Sequence, residues 1–128
     1  MNERLLIVDD ETNVRLSFRM TPETKGYEIF EARSGEQAVQ LIAEHSFALA
    51  ILDVRMPGMD GLELLAKMRE SRIRVPAVVV TAHGDVPHAV KALKLGAIDF
   101  LEKPLHPEDL RNIVAEILDR MLDRTTHR

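Results

Sequence analysis

Phe47-Ala48-Leu49-Ala50-Ile51-Leu52-Asp53, six apolar residues closed by a carboxylate, is the stretch from which the rest of the chain is read. A strand with one wet face alternates apolar and polar residues. An uninterrupted short run rich in aliphatic side chains instead fits a strand covered on both faces, as in a parallel sheet. The same design recurs in Leu5-Leu6-Ile7-Val8, which stops at Asp9-Asp10, and in Ala77-Val78-Val79-Val80, which stops at Thr81. Two weaker candidates, Tyr27-Glu28-Ile29-Phe30-Glu31 and Ala97-Ile98-Asp99-Phe100-Leu101, bring the expected strands to five.

The segments between these strands carry helical spacing and helix-end signals. Ser34-Gly35-Glu36-Gln37 offers a capping serine with a glutamine three residues on, followed by Leu41 and Ile42 on an apolar face. After Gly61, Leu62, Leu65 and Met68 recur at helical spacing with Leu64 beside them, and Val75-Pro76 disfavours continuation. Asp85-Val86-Pro87 opens a fourth helix that Gly96 closes. In the fifth, His106-Pro107-Glu108-Asp109 puts proline and two acids in the first turn, where a missing N–H costs little and negative charge suits the helix dipole. Its apolar stripe is expected to run through Leu110, Ile113, Val114, Ile117, Leu118 and Met121. Pro22 interrupts the segment assigned to the first helix, at a cost of ~3 kcal/mol in a helix interior. That helix is therefore expected from near Asn13 to Met20, with a break or distorted turn before Gly26. Five βα units of this kind imply right-handed crossovers and helices on both faces of the sheet.

Composition narrows the function. The 128 residues suit one domain, and 45% hydrophobic with 30% charged residues is a globular balance. A net charge of −4 gives no support to a broad nucleic-acid or anionic-membrane surface. The absence of cysteine excludes disulfides, thiolate metal sites and cysteine nucleophiles. No apolar run approaches the ~20 residues that span a bilayer, and Met1-Asn2-Glu3-Arg4 has no secretory-signal character, so a cytoplasmic location is expected.

In an open parallel sheet, ligands bind beyond the carboxyl ends of the strands, near the point where strand order reverses. Asp9 and Asp10 follow the first strand, Asp53 the third, Thr81 the fourth and Lys103 the fifth, so all five should reach one edge. Three carboxylates gathered there would raise one another's pKa unless a cation sits among them. An oxygen-only donor set favours Mg²⁺, with Mn²⁺ as the alternative, and Mg²⁺ commonly shares its shell with a phosphate oxygen. A carboxylate can also accept a phosphoryl group, a transfer that depends on positioning and on neutralising the moving oxygens. Singly, each residue has a plainer reading: Asp9-Asp10 as a capping pair, Thr81 as a strand-end hydroxyl, Lys103-Pro104 as a turn, and Asp53 with the segment to Gly61 as a βα loop. It is the combination, in order at successive strand ends, that points to chemistry.

That combination, Val8-Asp9-Asp10-Glu11, Asp53-Val54-Arg55-Met56-Pro57-Gly58-Met59-Asp60-Gly61, Val80-Thr81-Ala82 and Gly96 through Pro104, resembles the response-regulator receiver domains of two-component signalling. The likeness runs from Leu5 to about Met121 and is strongest to receivers of bacterial transcription activators. It implies a flavodoxin-like (βα)5 α/β fold, doubly wound, with a five-stranded parallel sheet in the order 2-1-3-4-5. It further implies that Asp53 is the phosphoacceptor, that Asp10, Asp53 and the backbone carbonyl of Arg55 bind Mg²⁺, and that Asp9 helps through water. Thr81 and Lys103 would each contact a phosphoryl oxygen, and Phe100 would follow the movement of Thr81 as part of the switch. Arg55, Ala82 and His83 stand where the family tunes the lifetime of the phosphorylated state, although His83 also reads simply as a solvated loop histidine and Phe100 as core. A cis Lys103-Pro104 bond is expected.

By the same likeness, the donor is a sensor histidine kinase. The output face is the fourth helix, fifth strand and fifth helix, and the partner is an effector or DNA-binding domain or protein, with phosphorylation-dependent homodimerisation. Direct contact with nucleic acid or membrane is not expected, nor is enzyme activity beyond the domain's own phosphorylation and dephosphorylation. Residues 1–122 would form the receiver and 123–128 a tail or the start of a linker, in a stand-alone regulator or one piece of a longer one. A competing reading, a phosphatase or phosphotransferase of the haloacid-dehalogenase kind, usually places a second aspartate two residues after the nucleophile, where this chain has Arg55. A third, a receiver-like scaffold that never binds phosphate, predicts no Mg²⁺ binding.

Overall fold

The computed structural model describes residues 3–126. Five strands, β1 (Arg4–Val8), β2 (Glu28–Ala32), β3 (Leu49–Asp53), β4 (Ala77–Thr81) and β5 (Asp99–Glu102), alternate with five helices. These are α1 (Thr12–Arg19), α2 (Gly35–Glu44), α3 (Gly61–Glu70), α4 (Val86–Lys94) and α5 (Pro107–Thr126). All strand pairings are parallel and the order is β2-β1-β3-β4-β5, the flavodoxin-like arrangement expected. The chain steps from β1 outward to β2 and then returns across β1 to β3. The strand order therefore reverses between β1 and β3, which opens a crevice at their carboxyl ends.

Burial explains the continuous apolar runs. In β3 and β4 every residue is buried, because successive side chains point to opposite faces and both faces are covered. Leu6, Val8, Ala50, Leu52 and Val79 pack on one side with Ala38, Leu62, Leu65 and Ala92, which belong to α2, α3 and α4. Leu5, Ile7, Leu49, Ile51 and Val80 pack on the other with Phe18 of α1 and Leu110, Ile113 and Val114 of α5. The helix α5 carries on past Met121 to Thr126, into the segment read from sequence as a tail. The side chains of Ile117, Leu118 and Met121, and residues 127–128 of that segment, lie outside the described residues.

Pro22 acts as its chemistry requires. The helix α1 ends at Arg19, and Pro22–Thr24 form a 3₁₀ turn in which proline takes the first position, where no N–H is needed. Two buried threonines take up carbonyls left over at the break: Thr21 donates its hydroxyl to Ser17 O at 2.9 Å, and Thr24 donates to Phe18 O at 3.0 Å and Thr21 O at 2.7 Å.

Helix ends follow the sequence signals unevenly. Ser34 accepts from the Gln37 N–H at 3.1 Å, while the Gln37 side chain accepts from the N–H of Arg33 at 2.8 Å, one residue earlier than in a standard capping box. A complete box that sequence reading overlooked, Asp60 with Glu63, starts α3. After α4, Gly96 takes the left-handed conformation that ends helices. After α3 the same position is Arg72, with φ 60°, while the N–H of Ile73 donates to Met68 O at 2.9 Å. A left-handed non-glycine residue costs ~1–2 kcal/mol, part of which glycine returns as unfolded-chain entropy.

One close approach ties the fold to the crevice. A Cβ on Gly61 would lie 2.2 Å from the carbonyl oxygen of Asp53 and 3.2 Å from Val54 Cα, both backbone atoms that cannot swing aside. Glycine at the start of α3 thus lets that helix sit directly on the end of β3. Gly61→Ala should lower the unfolding free energy by about 1–3 kcal/mol, as other overpacked sites do, read from urea melts as a lower midpoint. Arg72→Gly should raise that midpoint at unchanged slope, by up to about 1 kcal/mol of stability.

Candidate functional site

Asp9 leaves the end of β1 fixed at both backbone and side chain. Its N–H donates to Ala32 O at 3.0 Å, and its Oδ1 accepts from the Glu11 N–H at 2.9 Å. Asp53 closes β3 with its Oδ1 accepting from the Arg55 N–H at 3.3 Å. Asp9 and Asp53 are 1% and 2% exposed, and Asp10 is exposed beside them. The three carboxylates each offer an oxygen within 4.8 Å of the other two. Across the sheet, β5 is followed by a cis Lys103-Pro104 bond, as the resemblance implies. The Lys103 N–H donates to Thr81 O at 2.8 Å, which holds the lysine against the end of β4. Its Nζ lies 3.3 Å from Asp53 Oδ2, 3.0 Å from Glu11 Oε1 and 3.7 Å from Asp9 Oδ2.

Burial and crowding set the charges. Asp9 is pushed up to about 7, first by burial and then by the nearby Asp53 carboxylate, against the opposing hydrogen bond from Glu11 N–H. Asp53 is also raised by burial, with Lys103 opposing. Burial alone would lower the Lys103 ammonium, but its bond to Glu11 and the nearby Asp9 and Asp53 outweigh this and hold it above its ordinary value. Asp9 Oδ2 is buried and makes no hydrogen bond. An orphaned carboxylate oxygen among two other carboxylates, in a site with no soft donor, fits a hard divalent cation.

The structure does not bring every expected residue to this cluster. The Thr81 side chain is buried, and its hydroxyl donates to the Leu101 carbonyl at 3.4 Å, turned toward β5. Beside it a cavity of about 120 Å³ is lined by Thr81, Phe100, Val86, Ala89 and Leu93, with Phe100 half-buried. Arg55, Ala82 and His83 line the open cleft above Asp53. His83 pairs with Glu102 at 3.2 Å, and Glu102 also accepts from the Gly84 N–H at 2.9 Å. Arg55 reaches within 3.8 Å of Asp85, which caps α4 by accepting from His88 N–H and lies 2.5 Å from the His88 ring. Glu11, Glu102 and the outward link from Arg55 to Asp85 were missed by sequence reading. Glu11 stood inside a quoted motif, but its lysine partner is 92 residues away and no local signal joins them.

The sequence matches the family model described as response regulator receiver domain over residues 5–115. The chain belongs to that family. Among its relatives, the transcriptional regulatory protein FixJ of Bradyrhizobium diazoefficiens is 36% identical over 110 residues, covering 86% of this receiver and 54% of FixJ. The regulatory protein AtoC of Escherichia coli is 39% identical over 115 residues, covering 90% of this receiver and 25% of AtoC. A CheY-like receiver domain from Methanospirillum hungatei superposes with a TM-score of 0.86 at 32% identity, over 97% of this chain and 99% of that one. The receiver thus spans about half of FixJ and a quarter of AtoC. Among the described residues no helix is long and apolar enough to cross a membrane.

A raised carboxyl pKa in the folded receiver gives a signed expectation. The native state keeps a proton on Asp9 that the unfolded chain releases above 3.8, so this group's contribution is full below that pH and is lost as pH rises toward about 7. Without divalent metal, the Asp9 contribution should make stability fall between these values in urea melts. Asp9→Asn should flatten that part of the profile.

Proposed function

We propose that this receiver takes a phosphoryl group from a phosphohistidine of a sensor histidine kinase onto Asp53, with Mg²⁺ or Mn²⁺ at Asp9, Asp10, Asp53 and the Arg55 carbonyl. The observation that carries the reading is the placement of Asp53: buried at the strand-order reversal, among carboxylates, with Lys103 Nζ 3.3 Å from its Oδ2. Asp53 supplies the attacking oxygen, and the P–N bond breaks with its electrons leaving on the imidazole. The bound cation supplies charge neutralisation for the carboxylates and the transferred oxygens. Lys103, already ionised and aimed at Asp53, exchanges its carboxylate contacts for a phosphoryl oxygen.

The product carries roughly −2 charge with strong acceptor oxygens. Thr81 gives up the Leu101 carbonyl to donate to one of these oxygens, and Phe100 moves with it into the space beside α4. Those two residues pass the change to α4, β5 and α5, the output face for an effector or DNA-binding partner or for a second phosphorylated copy. Ala82 leaves room beside Thr81, and Arg55 and His83 at the mouth of the cleft adjust access of water and hence the lifetime of the state. Residues 1–122 constitute the signalling unit, with 123–128 a tail or the start of a linker. The setting is a cytoplasmic two-component system that regulates transcription, and turnover is confined to the domain's own phosphoryl group.

Incubation with Mg²⁺ and a small phosphodonor should add one phosphoryl by intact-protein mass spectrometry. Asp53→Asn should add none, and removing the metal with EDTA should abolish labelling of the wild type. Labelling of Asp53→Asn to the wild-type level would refute the assignment.

A further inference from the structure

Behind the acidic cluster lies a buried cation that the reading above does not use. Arg15, in the middle of α1, is 8% exposed. Its guanidinium makes three contacts in three directions. Nη1 donates to the backbone carbonyl of Asp9 at 2.7 Å, Nε donates to Glu31 Oε1 on β2 at 2.9 Å, and Nη2 donates to Thr12 Oγ1 at 3.3 Å. Glu31 is shared with Arg19, which also donates to the Ile29 carbonyl. These arginines hold the Glu31 carboxyl below its ordinary range, Arg19 foremost.

We infer that Arg15 is a positioning residue for the cation site: its fork ties the Asp9 carbonyl to Glu31 and thereby sets the aim of the Asp9 and Asp10 carboxylates. The inference rests on the metal-dependent reading of that cluster. Asp9 is then held at three points, the N–H by Ala32, the carbonyl by Arg15 and Oδ1 by the Glu11 N–H. Only Oδ2 is left free of hydrogen bonds, 3.7 Å from Lys103 Nζ, in the cluster where Asp9, Asp10 and Asp53 each offer an oxygen within 4.8 Å of the others. A carboxylate among like charges swings away unless it is restrained, and these contacts hold both the backbone of Asp9 and its Oδ1. The planar guanidinium suits this task because it serves a carbonyl and a carboxylate at once, whereas a lysine ammonium is a point donor. Glu31 neutralises the charge beside Arg15, so its effect on the cluster is chiefly geometric.

Residues that orient a metal ligand without touching the ion typically contribute about 10–100-fold to affinity. The test is isothermal titration of Mg²⁺ into wild type, Arg15→Met and Arg15→Lys, with urea melts and hydrogen exchange of the Glu11 amide alongside. Both variants should weaken Mg²⁺ by about tenfold or more and speed exchange of that amide. Phosphorylation from a small donor should need more Mg²⁺ for half-maximal rate but reach a near-wild-type rate at saturation. A role in folding alone would lower the urea midpoint and leave the Mg²⁺ Kd of the folded protein unchanged, and that result overturns the inference. Should Arg15→Met fail to fold, Arg15→Lys decides by the same Kd criterion. Wild type that binds no Mg²⁺ would instead overturn the metal reading itself, so the two failures are distinguishable.

Discussion

Three carboxylates held at the reversal point of a parallel sheet repel one another, and the surroundings are arranged to contain that repulsion. Asp9 and Asp53 are almost fully buried, so neither can escape it by solvation. Lys103 is drawn over them from β5 by attraction to Asp53, Glu11 and Asp9 together. One ammonium does not neutralise four acids, and Asp9 is raised first by its burial and then by the neighbouring carboxylates. Carboxylates crowded in this way favour a positive charge among them.

The sheet makes this possible by covering both of its faces. With α2, α3 and α4 on one side and α1 and α5 on the other, the inner strands β1, β3 and β4 have no wet face on which to place a carboxylate, whereas the edge strands carry Glu28, Glu31, Asp99 and Glu102. The acids of the inner strands are pushed to their ends, where loops can supply backbone partners. The tight seating of α3 on the end of β3 through Gly61 and the clamp of Arg15 on Asp9 act on opposite sides of the same crevice. Thr81, by contrast, is satisfied by a neighbouring carbonyl at 3.4 Å, a long bond of the kind that a stronger acceptor can displace.

The family membership and the geometry carry different weight. The match over residues 5–115 assigns the chain to response regulator receivers and the superposition assigns the fold. FixJ and AtoC contain long stretches that this chain does not span. What the structure adds are contacts that no local sequence pattern announces: Arg15 behind Asp9, Glu102 under the β4–α4 loop, and Asp85 facing Arg55.

Sequence alone determined the βα alternation, the buried parallel character of β3 and β4, the break at Pro22 and the polar residues at strand ends. These are readable because hydrophobic periodicity, proline chemistry and turn residues act over a few neighbouring positions. Strand boundaries moved by one or two residues: β3 begins at Leu49 because Phe47 and Ala48, though buried, precede the paired ladder. Strand order 2-1-3-4-5 came through likeness to a family, since no local pattern says which strands lie side by side. Tertiary structure alone decided which way Thr81 turns, that Arg72 ends α3 in the conformation glycine takes after α4, and that Glu11 meets Lys103. Each depends on partners far along the chain, and the energies separating one arrangement from another arise only when packing removes water and brings those partners within hydrogen-bond reach.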